Sequence, residues 1–200
     1  MKEEIKIPVG VSNRHVHLTK QNIEKLFGEG YELHKKSDLT QPGQFASVET
    51  VTIKTEKSEI QNVRVLGPSR NYNQVEISKT DAYKLGLNPP VRKSGNIKGS
   101  SPITIIGPNG EIFLEEGCIL ANRHIHISKE DSIRYNLPED TEMMIKIDTE
   151  KGGILTNVYS KVTDEAYLEL HLDTDDANSH LLKQGDIVTI LRKEKEIEYR

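Results

Sequence analysis

The chain has 200 residues, 34% of them hydrophobic, 5% aromatic and 29% charged, with a formal net charge of -4. That is room for one large or two small domains with lean cores. The mixed-sign charge gives no ground for a nucleic-acid partner or an anionic membrane surface, no 18-residue apolar run offers a transmembrane helix, and a lone Cys118 leaves no internal disulfide. Met1–Ile7 lacks the apolar core of a signal peptide, so a cytoplasmic location is expected.

Most of the chain reads as short strands. In order these are Ile5–Val11, Ser47–Lys54, Gln61–Leu66, Gln74–Ile77, Ile103–Ile106, Glu111–Leu114, Met143–Ile147, Leu155–Val162, Tyr167–Leu172 and Ile187–Leu191. They are rich in Val, Ile, Leu, Thr and Tyr, and several alternate apolar with polar residues. Turn signals separate them: Gly28, Gly30, Pro42-Gly43, Gly67-Pro68, Gly107–Gly110, Gly152-Gly153 and Gly185-Asp186. Short helices are expected at Thr19–Phe27, Ser78–Leu85, Ser128–Tyr135 and Asp175–Lys183, the first three opening on a Thr or Ser cap. The aperiodic stretch Pro89–Pro102 reads as a long loop. The expected fold class is mainly β: two small β-barrel domains related by an internal repeat, each capped by short α-helices.

The repeat is written in the residues. Asn13-Arg14-His15-Val16-His17-Leu18-Thr19-Lys20 returns as Asn122-Arg123-His124-Ile125-His126-Ile127-Ser128-Lys129. Residues two apart on a strand point to one face, so each His-x-His aims two imidazoles at one point. A lone histidine is ordinarily structural or exposed, but paired spacing that occurs twice points to metal. His171 in Leu168–Asp173 is a fifth candidate, followed by acidic residues fit to orient an imidazole. Five imidazoles exceed one closed tetrahedral site and suit two zinc ions, each with an open position, while nickel, cobalt, copper and iron also accept this ligand type. Glu76, between Val75 and Ile77, is a candidate carboxylate ligand, although alternation alone leaves it facing solvent. Cys118 is read as a small buried residue, and His34 and His180 as structural.

Two other metal-histidine arrangements do not fit. A TIM-barrel hydrolase needs about 250 residues and alternating strands and helices, and no His-Glu-x-x-His is present. The absence of Cys-x-x-Cys also argues against a zinc ribbon. Around Gly67-Pro68 stand Arg64 and Arg70, suited to phosphate or carboxylate; Arg70 lies close in sequence to Glu76. Arg14 and Arg123 face away from the imidazoles and are expected to buttress them.

Taken together, Val9–Leu18, Val63–Arg70 with Gln74–Ser78, Ala121–His126 and Leu170–Asn178 resemble, in this order and over nearly the whole chain, the PduL-type phosphate acyltransferases (phosphate propanoyltransferases). The resemblance implies two β-barrels, residues 1–13 with 122–200 and residues 14–121, with the active site between them. It implies a zinc-dependent enzyme that moves a short acyl group, acetyl or propanoyl, reversibly between coenzyme A and inorganic phosphate. His15, His17 and Glu76 would hold one zinc, and His124, His126 and His171 the other; Arg70 would be catalytic and hold the phosphate. Val11, Ser12, Asn13, Arg64, Leu66 and Asn178, with Lys57 as a weaker addition, would contact coenzyme A. Acyl-CoA and phosphate would be the partners, and a homodimer is compatible. Microcompartment members carry an N-terminal encapsulation helix; too few residues precede Val11 for one here, so a freely cytoplasmic enzyme is expected. Direct attack of phosphate on the thioester is the expected mechanism. The alternatives are a di-zinc thioester or ester hydrolase and a metal-binding module without a reaction.

Overall fold

A computed structural model describes residues 4–191. The elements run β1 (Ile5–Ser12), β2 (His15–His17), α1 (Lys20–Phe27), β3 (Lys35–Asp38), β4 (Phe45–Lys54), β5 (Glu59–Gly67), β6 (Gln74–Glu76), α2 (Lys79–Leu85), β7 (Val91–Arg92) and β8 (Ser101–Ile106). Then follow β9 (Glu111–Ala121), β10 (His124–Ser128), α3 (Lys129–Tyr135), β11 (Glu142–Ile147), β12 (Gly153–Thr163), β13 (Glu169–Asp173), α4 (Thr174–Ser179) and β14 (Ile187–Leu191). The protein is mainly β, with two six-stranded closed barrels and four short helices among the described residues.

The chain divides into two compact units. One, the central barrel, is Asn13–Ala121; the other, the terminal barrel, combines the segment ending at Ser12 with the segment beginning at Asn122. The terminal barrel closes in the order β1-β13-β10-β12-β11-β14. The central barrel closes as β4-β5-β2-β6-β9-β8, the ring completed by β8 against β4 with Ile105 opposite Ile53. Closure leaves no barrel strand with an unpaired edge. No helix of the described residues is long and apolar enough to cross a membrane.

Strand periodicity fills each interior. Ile5, Ile7 and Val9 of β1 meet Ile125 and Ile127 of β10, Leu170 and Leu172 of β13 and Val188 and Ile190 of β14 in the terminal core. Val16 of β2, Val51 and Ile53 of β4, Val63 and Val65 of β5 and Ile103 and Ile105 of β8 build the central one. Because Val16 and Ile125 point inward, the flanking histidines occupy the other face of the barrel wall.

Both His-x-His strands run straight into a capped helix. The Thr19 hydroxyl accepts from the Asn22 amide, and Ser128 accepts from the Asp131 amide at 3.0 Å. The fourth helix is shorter than the expected Asp175–Lys183. Asp173 caps it by accepting from the Asp176 amide at 2.8 Å, and it ends at Ser179. The exposed β3 carries no apolar pattern, β7 interrupts the expected loop by pairing with β9, and β9 continues past Leu114 to Ala121.

Candidate metal centres

In the central barrel β2 lies antiparallel to β6, which sets His15 opposite Glu76 and His17 opposite Gln74. The ligating atoms of His15, His17 and Glu76 all lie within 4.8 Å of one another. His15 donates from Nδ1 to the Asn13 carbonyl at 2.8 Å, since a carbonyl can only accept. That leaves its Nε2 toward Glu76 Oε2, 3.5 Å away. Glu76 is fixed in turn by Gln74, whose amide donates to Oε1 at 2.6 Å. Gln74 is buried and tied to the long loop through Ser94 Oγ and the Gly95 amide. Burial pushes the His15 imidazole toward neutrality, but the negative charge and hydrogen bond of Glu76 outweigh it and raise its pKa. The trio therefore favours positive charge.

The terminal barrel repeats the plan. Antiparallel pairing of β10 with β13 sets His124 opposite His171 and His126 opposite Glu169. The atoms of His124, His126 and His171 again lie within 4.8 Å of one another. His124 donates from Nδ1 to the Asn122 carbonyl at 2.8 Å, and its Nε2 sits 3.2 Å from Nε2 of His126. The His126 and His171 ring centroids are 4.4 Å apart. Ring nitrogens converging in this way, with the first histidine's other nitrogen already donating to a carbonyl, fit a divalent ion.

The arginines ahead of the pairs brace them. Arg14 Nε donates to Asp81 on α2 at 2.7 Å. Arg123 grips Asp176 on α4 with two bonds, at 2.8 and 2.6 Å, and also donates to the Thr156 carbonyl. Both carboxylates are the third residue of their helices, so the repeat extends to the buttress.

Arg70 belongs to the central barrel. Its amide donates to the Leu18 carbonyl at 2.8 Å, and its guanidinium to the Tyr72 hydroxyl at 2.5 Å and Gln44 Oε1 at 3.5 Å. Its charge depresses proton affinity at His15, so the two are electrostatic neighbours. Arg64 stands opposite His15 on β5 and donates to the Ser47 and Val48 carbonyls; Leu66 follows on the same strand. Lys57, in the β4–β5 turn, reaches the Tyr83 carbonyl. Val11 and Ser12 end β1, and Asn13 opens the central unit and accepts from His15. Asn178 lies on α4. Cys118 is fully buried in the central core, its thiol pushed up to about 12 by burial. Sequence spacing did not single out Gln74 and Glu169, though each stands two residues before a candidate ligand.

Each barrel thus carries three converging side chains fit to hold a metal, two histidines with a glutamate in one and three histidines in the other. The sequence profile of phosphate propanoyltransferases matches residues 8–183. A phosphate propanoyltransferase of Lachnoclostridium phytofermentans is 52% identical over 186 residues, 92% of this chain and 87% of that protein. One of Thermotoga maritima is 49% identical over 96% of this chain and 91% of its own, and one of Salmonella typhimurium 44% identical over 86% and 82%. The chain belongs to the phosphate propanoyltransferase family, whose class is phosphate acyltransferase.

Proposed function

We propose that the protein is a zinc-dependent enzyme that moves a short acyl group, acetyl or propanoyl, reversibly between coenzyme A and inorganic phosphate. The observation that carries the metal part is the convergence of His15, His17 and Glu76 in one barrel and of His124, His126 and His171 in the other. When bound, a zinc with three protein ligands supplies an open position that can polarise a carbonyl or take a leaving thiolate.

The chain's own residues do the rest. Arg70, braced by Tyr72 and Gln44, holds and orients phosphate, turning a bimolecular encounter into a positioned one. A phosphate oxygen attacks the thioester carbonyl carbon, the carbon–sulfur bond breaks, and the phosphate proton ends on the thiol of coenzyme A. Val11, Ser12, Asn13, Arg64, Leu66 and Asn178 are assigned to coenzyme A, with Lys57 at the edge of that set. Transfer is direct. The cysteine needed for a thioester-linked acyl-enzyme is buried and holds its proton to about pH 12.

The test is metal content measured beside release of coenzyme A from acetyl-CoA and propanoyl-CoA, with and without phosphate. Two zinc ions per chain and strictly phosphate-dependent release are expected; release without phosphate would make the protein a hydrolase. Arg70→Ala should raise the KM for phosphate at least tenfold, the loss of a charge-assisted bond of about 1.5–3 kcal/mol, while the acyl-CoA KM moves little. Equal effects on both substrates would remove Arg70 from the phosphate site.

A further inference from the structure

The two trios differ in charge. Glu76 brings one negative charge to the first, whereas the second is three imidazoles. A divalent ion on three neutral imidazoles would leave two uncompensated charges in a buried place. One anion is at hand. Glu169 is 1% exposed and sets Oε2 2.6 Å from Nε2 of His171.

The repeat shows what kind of residue this is. Gln74 stands opposite His17, and Glu169 stands opposite His126. Each lies two positions before the third member of its trio, is buried, and hydrogen-bonds that member at 2.6 Å. The chemistry is exchanged as a pair. Where the third member is a carboxylate, the neighbour is an amide that donates. Where it is an imidazole, the neighbour is a carboxylate that accepts.

Gln184 holds Glu169 from the other side and is itself anchored to β1. Gln184 donates to its other oxygen at 3.4 Å, and Gln184 Oε1 accepts from the Val11 amide at 2.8 Å. Opposite His171 on β1 stands Gly10. A Cβ there would lie 2.8 Å from Glu169 Cδ and 2.8 Å from His171 Cδ2, so the close approach of β1 depends on glycine. The barrel does not require glycine at this register, because the corresponding residue of the central barrel is Ile119, opposite Glu76. Room has been left for the glutamate–histidine pair.

We propose that Glu169 is a positioning residue of the three-histidine centre. It accepts the Nε2 proton of His171, fixes the ring so that Nδ1 faces the metal, and supplies the charge that Glu76 supplies in the other trio. A carboxylate behind a ligating imidazole orients the ring and raises its basicity, and losing one typically costs tenfold to a hundredfold in metal affinity. The inference rests on the zinc reading of the trios.

The experiment compares the full chain with Glu169→Gln and Glu169→Ala. Zinc is counted by mass spectrometry after equilibration against a zinc-buffering chelator, and the His171 tautomer is read by long-range proton–nitrogen correlation in the zinc-loaded protein. Wild type should bind two zinc ions with His171 protonated at Nε2. Glu169→Ala should keep one tight zinc and bind the second tenfold to a hundredfold more weakly. Glu169→Gln, which retains an oxygen acceptor but not the charge, should fall between. Should Glu169→Ala fail to fold, Glu169→Gln and the tautomer decide. Wild-type affinity at both sites in Glu169→Gln, or metal on Nε2 of His171, overturns the proposal while leaving the zinc reading intact. A wild-type chain without zinc overturns both.

Discussion

Cys118 illustrates how burial settles the chemistry of a single residue. It belongs to the central core, on β9 beside Val75 of β6, and desolvation penalises the thiolate. Cys118→Ala is expected to keep full turnover and to lose about 1 kcal/mol of stability for the vacated volume. In the wild type, thiol reagents should label it only after unfolding. Rapid labelling of the native protein, or loss of turnover in the variant, would return the cysteine to the chemistry. The histidine pairs were readable in the sequence because a period of two states their common face without any fold. Glu76 was a candidate that only the family resemblance placed with them: alternation turned it toward solvent, yet its side chain is only 12% exposed. What buries it is pairing with β2, and nothing in Gln74–Ser78 says which strand lies alongside.

At the level of elements, Glu49 on β4 ties down the connection after α1. Its carboxylate accepts from the Tyr31 hydroxyl at 3.0 Å, from His34 Nδ1 at 2.8 Å and from the His34 amide. Burial would raise its pKa, but the bonds from His34 and Tyr31 outweigh burial and lower it. A folded pKa below the unfolded one gives stability that is fully present above the ordinary glutamate value. That stability is lost as pH falls through the folded value. Glu49→Gln should therefore be about 1–2 kcal/mol less stable than wild type at neutral pH. The gap should narrow below pH 4.5 in melts taken across acid pH; a gap independent of pH would refute the assignment. The strongly apolar strands and the Ser and Thr caps were legible, because local pattern decides them. β3 is Lys35-Lys36-Ser37-Asp38, all exposed, and its strand character comes only from pairing with β4. Likewise Glu115-Glu116-Gly117 masks the middle of β9, which β8 holds on both sides of that interruption.

For the molecule as a whole, the doubling reaches well beyond the histidines. β2, β4, β5, β6, β8 and β9 pair with one another as β10, β11, β12, β13, β14 and β1 do. The central barrel is one continuous segment, and the terminal barrel borrows β1 from the other end of the chain. Residues 13–121 alone should therefore fold to a barrel with a cooperative melt. Residues 122–191 alone should not, since β13 and β14 would each lose a partner. Supplying residues 4–12 after Leu191 through a four-residue turn should restore folding, read by circular dichroism and size exclusion. An equally stable 122–191 fragment would refute the dependence on β1. The repeated motif alone revealed the doubling; the borrowing was expected only from the family resemblance, because no local pattern joins β1 to β14 and the two meet only through the fold, Ile5 against Ile190. That pairing makes β14 and β1 two arms of a hairpin without its turn, where the other barrel has Gly107–Gly110 between β8 and β9. Drawn as a circle, the chain visits corresponding strands in one order twice, and a circularly permuted gene would read as a plain tandem duplication.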